Sequence, residues 1–328
     1  MPLIEFENVH KVYHLVQRQP GLAAALKSLV APKTIEIPAL DDLSFSINEG
    51  EIVGYIGPNG AGKSTTIKIL CGILRPDTGT CHVAGRFPWQ DRSAHAQTIG
   101  VVFGQRSQLW WDTPVYDSFD LLAEIYKLDR QAYVRSRDRL VDVLGLEPLL
   151  AVPVRQLSLG QRMRCEIAAS LLHSPRLLFL DEPTIGLDAH SKLAVRDFIR
   201  TINREDGCTV ILTSHDMHDI EALAERIMLL GKGRLLYDGG IPELRKRFLT
   251  HLNLELNDPG TDAVMPQHEG LQLLAREAGK LQFLVDRQQL SIEAALRLLA
   301  SAFPLEDLVV RDEDIDAIIL KLYKEVGI

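Results

Sequence analysis

The stretch Gly57-Pro58-Asn59-Gly60-Ala61-Gly62-Lys63-Ser64-Thr65 decides the fold of this chain. It fits the pattern G-x-x-x-x-G-K-[ST], a glycine-rich loop whose backbone N–H groups cradle phosphates, whose lysine adds a positive charge and whose hydroxyl reaches Mg²⁺. The apolar run 51–56 before the loop predicts a buried strand, and residues 64–74 predict a helix whose N-terminal dipole faces the phosphates. The expected nucleotide-binding residues of this loop are Gly57, Asn59, Gly60, Ala61, Gly62, Lys63, Ser64 and Thr65.

Composition limits the classes of protein to consider. The chain has 328 residues, of which 46% are hydrophobic, so it can bury one large core or two smaller ones. Its net charge of −8 argues against a surface that coats nucleic acid. The sequence has no apolar run long enough to span a bilayer and no secretion signal at its start. We therefore expect that the chain neither spans a membrane by itself nor is secreted. The four cysteines form no C-x-x-C pair, which predicts reduced, buried thiols.

Two carboxylates follow a second apolar strand. Leu177–Leu180 predicts a buried strand, and Asp181 and Glu182 come directly after it. Such a strand delivers both carboxylates to the sheet edge where the phosphate loop also emerges. There Asp181 would hold Mg²⁺ through its water shell, and Glu182 would orient and deprotonate the attacking water. A solvated acidic turn is the alternative for such a pair standing alone.

The rest of the chain divides into recognisable segments. Residues 14–38 carry a helical apolar face bracketed by prolines and predict an inserted helical hairpin or arm. Two interpretations of this arm stay open: a contact with a membrane subunit or the bilayer surface, and a helix packed on its own domain. Helical periodicity over about 115–165 predicts an α-helical subdomain inserted in an α/β core. After residue 240, alternating strands and a helix capped by Ser291 predict a small α+β domain over 241–328.

A second motif names a family. Leu157-Ser158-Leu159-Gly160-Gln161 resembles the signature of ATP-binding-cassette (ABC) ATPases, with Leu159 where a second glycine is usual. Over roughly residues 3–240 the chain resembles the nucleotide-binding subunit of an ABC transporter. The resemblance implies an α/β fold: an ABC-type P-loop NTPase core with an inserted α-helical subdomain, a β subdomain and the small C-terminal α+β domain. It also implies that two copies sandwich ATP head to tail, with Ser158, Gly160 and Gln161 of one copy reaching the nucleotide of the other.

The same resemblance assigns further roles. Gln105 is similar to the glutamine that reaches Mg²⁺ and the attacking water, and His215 to the switch histidine that contacts the γ-phosphate. Asp188 is similar to the acid of the D-loop, which couples the two sites, and Tyr13 to the aromatic residue that stacks on adenine. The expected catalytic residues are Glu182, His215, Gln105 and Lys63, and the expected metal ligands are Ser64, Gln105 and Asp181.

The resemblance also implies a function and its partners. ATP and Mg²⁺ are the expected cofactors, and a second copy and an integral membrane permease are the expected partners, with no nucleic acid. The chain would be cytoplasmic and peripheral on the inner face of the cell membrane. It most resembles the ATPase subunits of type-2 ABC exporters, the group that contains daunorubicin-resistance and viologen-exporter ATPases. The alternative is a soluble ABC ATPase acting on ribosomes or nucleic acid, although such proteins usually carry two cassettes.

The loop after Gln105 contains adjacent tryptophans, Trp110 and Trp111. Adjacent tryptophans in a loop form either a buried local core or an interface anchor, because tryptophan dominates binding hot spots. In the family that the chain resembles, the loop after this glutamine touches the membrane partner, so the resemblance implies that contact here and favours the interface.

Overall fold

The computed structural model describes residues 2–16, 34–104, 106–214, 216–258, 260, 265–277, 279–305 and 307–327. The chain divides into two compact units, Met1–Gly239 and Gly240–Ile328. This division lies one residue from the boundary suggested by the change of sequence pattern after residue 240.

The described residues of the first unit form two sheets. A six-stranded sheet has the order β5-β6-β7-β3-β8-β9, and its first five strands in this order run parallel. A three-stranded antiparallel sheet has the order β2-β1-β4. The strands are β1 (Pro2–Val16), β2 (Thr34–Asn48), β3 (Ile52–Ile56), β4 (Thr78–Val83), β5 (Ile99–Phe103), β6 (Leu177–Asp181), β7 (Thr209–Thr213), β8 (Arg226–Gly231) and β9 (Arg234–Gly240).

Helices connect the strands of the first unit. They are α1 (Lys63–Leu70), α2 (Arg92–Ala96), α3 (Val115–Ile125), α4 (Arg130–Leu144), α5 (Leu159–Leu171), α6 (Ala189–Asp206) and α7 (Met217–Leu223). Single 3₁₀ turns lie at Glu147–Leu149 and Val154–Gln156. The helical run expected over about 115–165 corresponds to α3, α4, both 3₁₀ turns and the start of α5. Local signals account for the ends of α4, because Asp129 caps its first turn and Gly145 ends it in the left-handed conformation at φ 60°.

The core of the first unit joins the two sheets. In β2 the side chains of Leu43, Phe45 and Ile47 are buried, and the residues between them are exposed. This alternation places one face of the small sheet on the core, as expected for a strand with one buried face. Phe6 of β1 stacks on Phe45 with ring centroids 4.8 Å apart. The central strand β3 is instead buried on both faces, which fixes the position of the loop that follows it.

The ends of segment 14–38 are strands rather than helix. β1 and β2 continue their antiparallel pairing as far as Val16 and Thr34, with Tyr13 opposite Ile37 and Leu15 opposite Ile35. Aromatic and β-branched residues favour such cross-strand pairs, which explains why both strands extend into this segment. Residues 17–33, which include the predicted helical face, lie outside the described residues.

The second unit is an antiparallel sheet covered by helices. Its strands β10 (His251–Asn257), β11 (Leu271–Glu277), β12 (Lys280–Asp286) and β13 (Val309–Asp312) have the order β11-β12-β10-β13. Its helices are α8 (Ile241–Phe248), α9 (Ile292–Ala302) and α10 (Ile315–Glu325). Ser291 caps α9 by accepting from the Ala294 N–H at 3.2 Å, as the sequence predicts. The unit has its own apolar core, in which Phe283 of β12 and Leu299 of α9 are buried.

The cysteines are free thiols, as predicted. Cys81, Cys165 and Cys208 are buried, and Cys71 is partly buried. Burial raises the pKa of each thiol, to about 12 for Cys81, so these groups stay protonated at neutral pH. Among the described residues, none of the helices combines the length and the apolar character that crossing a membrane requires.

Candidate functional site

The parallel sheet brings the two main motifs to one edge. β3, β7, β6 and β5 are consecutive neighbours in the sheet, and their carboxyl ends point the same way. Ligands of open α/β sheets bind at this edge. A cavity of about 780 Å³ opens here and is lined by residues 58–65, Asp181 and Glu182, with Tyr13 and Gly104 beside them. The structure therefore places the phosphate loop and the acidic pair around the same space.

The conformation of the phosphate loop requires glycine. Gly62, at the N-cap of α1, has φ 107°, and a Cβ there would lie 2.6 Å from the Ala39 carbonyl oxygen. Gly60 also has a positive φ, of 83°. At Gly57 a Cβ would lie 2.8 Å from the Leu230 carbonyl oxygen. Larger residues at Gly57 and Gly62 would push the loop away from its neighbours, and at Gly60 the positive φ disfavours any residue with a side chain.

Lys63 reaches back across the loop. Its ammonium donates hydrogen bonds to the carbonyl oxygen of Gly57 and, at 3.2 Å, to that of Pro58. Burial lowers the pKa of Lys63, and the nearby carboxylates of Glu182 and Asp181 oppose this effect. Lys63 is thus a partly desolvated cation that donates to carbonyl oxygens of the loop. Ser64, one residue on, is exposed at the cavity wall.

Thr213 organises the acidic pair, and sequence analysis missed it. Its hydroxyl donates to Asp181 Oδ1 at 2.6 Å, and the Glu182 N–H donates to that hydroxyl at 3.2 Å. The same N–H lies 3.1 Å from the Thr213 carbonyl oxygen. Glu182 has φ 56°, an uncommon conformation for a residue with a side chain. Thr213 thus anchors the strained turn that presents the Glu182 carboxylate. A polar residue closing the neighbouring apolar strand was the available signal.

A buried ion pair lies behind this turn. Asp219 of α7 is fully buried, accepts a hydrogen bond from the Thr184 hydroxyl, and accepts another from Arg196 Nε of α6 at 2.6 Å. The side chain of Arg196 is 17% exposed. Since Thr184 follows Glu182 by two residues, the pair ties the turn of Glu182 to two helices. Burying a charge is tolerated only with such partners.

Removing one partner of this pair should be costly. We expect Asp219→Ala to lower the free energy of unfolding by about 3–5 kcal/mol, because it leaves the Arg196 guanidinium without its buried carboxylate. Urea denaturation of the full chain, followed by circular dichroism, measures the change. Asp197→Ala is the matched control, since Asp197 of α6 forms an exposed pair with Arg200 at 3.3 Å, which is worth less than about 1 kcal/mol. Equal losses in the two variants would contradict the assigned role of Asp219.

Tyr13 lies at the wall of the same cavity. Its hydroxyl is 3.4 Å from Thr65 Oγ1, and its cross-strand neighbour Ile37 also lines the cavity. The insertion between β1 and β2 therefore leaves Tyr13 beside the phosphate loop. The geometry allows its ring to meet a planar ligand group that extends from the loop.

The signature residues lie apart from this cavity. Ser158 caps α5, because its hydroxyl accepts from the Gln161 N–H at 3.2 Å while Gln161 Oε1 accepts from the Ser158 N–H at 2.8 Å. Ser158 is exposed, and none of Ser158, Gly160 and Gln161 lines the cavity. A Cβ at Gly160 would lie 2.5 Å from Ser191 Oγ of α6, so glycine allows the two helix starts to pack. The described cavity at the phosphate loop is therefore formed without these three residues of the same chain.

Asp188 has a local structural role in the single chain. It is the N-cap of α6 and accepts from Ser191 Oγ at 2.7 Å and from the Ser191 N–H at 2.9 Å. These bonds hold the pKa of Asp188 below its usual value. Its exposed position leaves it accessible to another molecule.

Gln105 and His215 lie outside the described residues. Their chain neighbours are described: Gly104 and Arg106 line the cavity, and Ser214 follows β7 directly. A Cβ at Gly104 would lie 2.8 Å from the Asp181 carbonyl oxygen, so the chain passes close to the acidic pair just before residue 105.

The adjacent tryptophans are exposed. The exposed fraction is 38% for Trp110 and 51% for Trp111, which excludes the interpretation of a buried local core. The guanidinium of Arg162 lies over the Trp111 ring at 5.6 Å from its centroid. Tyr116 and Leu121 of α3 are exposed apolar residues that come soon after them in the chain.

Comparisons with known proteins agree with this arrangement. A family model described as "ABC transporter" matches residues 40–185. The chain is 36% identical over 245 residues to the daunorubicin/doxorubicin resistance ATP-binding protein DrrA of Streptomyces peucetius, covering 74% of this chain and 71% of that protein. It is 35% identical over 197 residues to YhcH of Bacillus subtilis, an uncharacterized ABC transporter ATP-binding protein. That match covers 60% of this chain and 63% of YhcH, less than two thirds of its length.

A solved structure supports the same family. It is a dimeric post-hydrolysis state of the ATP-binding cassette MJ0796 bound to ADP and Pi, and it matches with 26% identity and a TM-score of 0.60. The match covers 73% of this chain and 98% of that one. The predicted α/β P-loop core is thereby confirmed. The chain belongs to the ABC transporter family, among its ATP-binding proteins.

Proposed function

We propose that this chain hydrolyses ATP to power export of a substrate through a separate membrane-spanning partner. The observation that carries the proposal is the cavity that joins the phosphate loop to Asp181 and Glu182 while the signature lies outside it. In one chain the cavity thus contains the phosphate loop and the acidic pair and lacks Ser158, Gly160 and Gln161. The similarity to DrrA, which is named for resistance to daunorubicin and doxorubicin, supports the export direction.

In this proposal the phosphates of ATP lie on the N–H groups of residues 57–65, and Tyr13 meets the adenine. Lys63 would exchange its bonds to the loop carbonyls for phosphate oxygens. The oxygen donors of Ser64 and Asp181 line the same cavity and suit Mg²⁺, so the site fits this ion. Ser64 and Asp181 would hold it, with Gln105 as the further proposed ligand. Bound there, Mg²⁺ neutralises charge on the phosphates.

Glu182 would act as the general base. Thr213 fixes its backbone, and its carboxylate shares the cavity with Lys63. A carboxylate in that position can orient water and accept its proton as the water attacks phosphorus. His215 is proposed to contact the γ-phosphate from the loop after β7.

A second copy would complete each site. Ser158 and Gly160 lie at the N-terminus of α5, where helix N–H groups and the dipole favour an anion. Since they do not line the cavity of their own chain, we propose that they bind the γ-phosphate held by the partner copy. Asp188 and Ile185, both exposed, would lie in the same dimer interface. Hydrolysis would then remove the contact that favours the closed dimer.

The membrane partner would dock on the exposed tryptophans. Trp110 and Trp111 provide large apolar area at low entropic cost, as binding hot spots require. Docking there would place the chain at the inner face of the cell membrane as a peripheral subunit.

Affinity capture tests this function. Tagged Glu182→Gln is incubated with detergent-solubilised membranes and ATP·Mg²⁺, and bound proteins are identified by mass spectrometry. We expect a polytopic membrane protein in the eluate. The matched control carries Trp110→Ala and Trp111→Ala in addition, and it should bind ATP but lose the membrane protein.

Capture of ribosomes or nucleic acid, with no membrane protein, would overturn the transport function. Equal recovery of the membrane protein with the tryptophan-free control would retain transport and reject the proposed docking surface.

A further inference from the structure

The loop that carries the tryptophans is fastened to the helix that carries the signature. We define the tryptophan loop as residues 107–113. Glu166, eight residues after Ser158 on α5 and thus about 12 Å along the helix, is 5% exposed. The Ser107 hydroxyl donates to Glu166 Oε1, and the Gln108 N–H donates to Glu166 Oε2 at 3.1 Å. The Gln108 side chain also donates to the Glu166 carbonyl oxygen at 2.9 Å.

Further contacts join the same two elements. Arg162, in the first turn of α5, lies over the Trp111 ring. Just before α5, the Arg155 N–H donates to the Trp111 carbonyl oxygen at 3.0 Å, and the Val154 N–H donates to that of Thr113 at 3.1 Å. The tryptophan loop therefore contacts residues 154–155 just before α5, the first turn of α5 and, at its buried contact, Glu166.

The burial of Glu166 makes this attachment stiff. Burial raises the pKa of Glu166, while the bonds from Ser107 and Gln108 and the charge of Arg162 oppose that shift. Moving the tryptophan loop away from α5 would break three hydrogen bonds to Glu166, two of them to its buried carboxylate, and hydrogen bonds to a charged group are worth more than neutral ones. The loop and the helix should consequently move together.

We propose that Glu166 is a positioning residue that locks the tryptophan loop to α5, so that docking on Trp110 and Trp111 displaces or orders the signature at Ser158 and Gly160. This inference rests on the proposed function of the loop as the docking surface. It links two sites through one rigid helix, and by reciprocity a nucleotide bound at the signature would change affinity at the tryptophans by the same factor.

A double-mutant cycle read by hydrogen exchange tests the lock. Ser107→Ala, Glu166→Ala and the double variant are compared at the amides of Gln161 and Arg162, which bond to Ser158. We expect either single variant to speed exchange at these amides by about tenfold, a size typical of coupling between sites. Ser107→Ala should add nothing in the Glu166→Ala background. Thr113→Ala is the matched control, because its hydroxyl bonds within the loop to the Trp110 carbonyl oxygen at 3.2 Å.

A conservative variant separates positioning from damage. Glu166→Gln keeps an acceptor for the Gln108 N–H and offers an amide N–H to the Ser107 oxygen, while the Ser107 hydroxyl can donate to the Leu109 carbonyl oxygen at 3.1 Å. It should therefore restore slow exchange at Gln161 and Arg162. Local damage would speed exchange only within 107–113 and around residue 166. Unchanged exchange at the helix start in both single variants, or strictly additive effects, would overturn the proposal.

A second readout connects the lock to nucleotide binding between copies. In the Glu182→Gln background, adding Glu166→Ala should weaken ATP-driven dimerisation by about tenfold and leave ATP binding to the monomer unchanged. If dimerisation is equally tight with and without Glu166→Ala, the lock does not act on the signature. If Glu182→Gln alone forms no dimer with ATP·Mg²⁺, the proposed dimer fails, and the exchange cycle still decides whether the lock exists.

Discussion

Glu182→Gln should lower ATP turnover by about 10²- to 10⁴-fold, the usual contribution of a general base. The substitution keeps the size of the side chain and removes its ability to accept a proton. The backbone of residue 182 is anchored by Thr213, so the turn should keep its shape. Phosphate release measured at saturating ATP·Mg²⁺ gives the loss directly. ATP binding should persist, because Lys63 and the loop N–H groups are untouched.

The same variant should accumulate as a dimer in ATP. Unhydrolysed ATP keeps its contacts with the phosphate loop of one copy and with Ser158 and Gly160 of the other. Size-exclusion chromatography with light scattering, with and without ATP·Mg²⁺, measures this. Glu205→Gln is the control, since Glu205 is an exposed carboxylate paired with Arg139 at 2.9 Å, and we expect it to hydrolyse ATP like the parent and to form no lasting dimer. A parent-like rate in Glu182→Gln would exclude Glu182 as the base.

The parts of the site that were predictable from sequence depend on local geometry. The spacing of residues in the loop 57–65 is set by the loop's own backbone. Its glycines and Lys63 could therefore be predicted as a phosphate-binding loop without knowing which residues lie near them in space. Asp181 and Glu182 were likewise readable, since a buried parallel strand carries the residues at its carboxyl end to the edge of the sheet. The structure brings both groups to one cavity. Their catalytic roles stay predictions.

The residues that sequence analysis missed act through long-range contacts. Thr213 bonds to Asp181 across 32 positions, and Asp219 bonds to Thr184 across 35. Nothing near either residue indicates its partner, because strand order and helix packing decide which side chains meet. Glu166 is a similar case, since it lies in the middle of a helix whose motif is at the N-terminus.

The extent of the first two strands was also not predicted. Segment 14–38 was expected to form an inserted helical hairpin or arm, and its helical face lies outside the described residues. Its ends, 14–16 and 34–38, pair as strands because Tyr13, Leu15, Ile35 and Ile37 match across the hairpin. In the second unit, β11 was not foreseen. Leu273 and Leu274 are adjacent and both exposed, so the strand lacks the alternation that marks a half-buried strand.

Lys63→Ala should abolish useful ATP binding. Removing a buried, hydrogen-bonded charge from a bound partner costs about 2–5 kcal/mol, which corresponds to roughly 30- to 5,000-fold in affinity. Isothermal titration calorimetry with ATP·Mg²⁺ measures the change. Lys68→Ala is the matched control, because Lys68 lies on the same helix and borders the same cavity. Its substitution removes the same positive charge. We expect it to weaken binding by less than about tenfold, as a screened surface charge should. Similar losses in both variants would mean that overall positive potential, and not the loop lysine, binds the phosphates.

The stability of Lys63→Ala without nucleotide distinguishes binding from structural support. Burial lowers the pKa of Lys63, so folding disfavours its charged form, and that cost disappears in the alanine variant at neutral pH. The substitution also removes the donor to the Gly57 and Pro58 carbonyls, which offsets part of the gain. We therefore expect the variant without ATP to melt no lower than the parent. ATP·Mg²⁺ should raise the melting temperature of the parent by mass action and leave the variant unchanged. A variant that melts several degrees lower without ATP would instead assign Lys63 a structural role in the loop, because the substitution would then lower stability when no phosphate is bound.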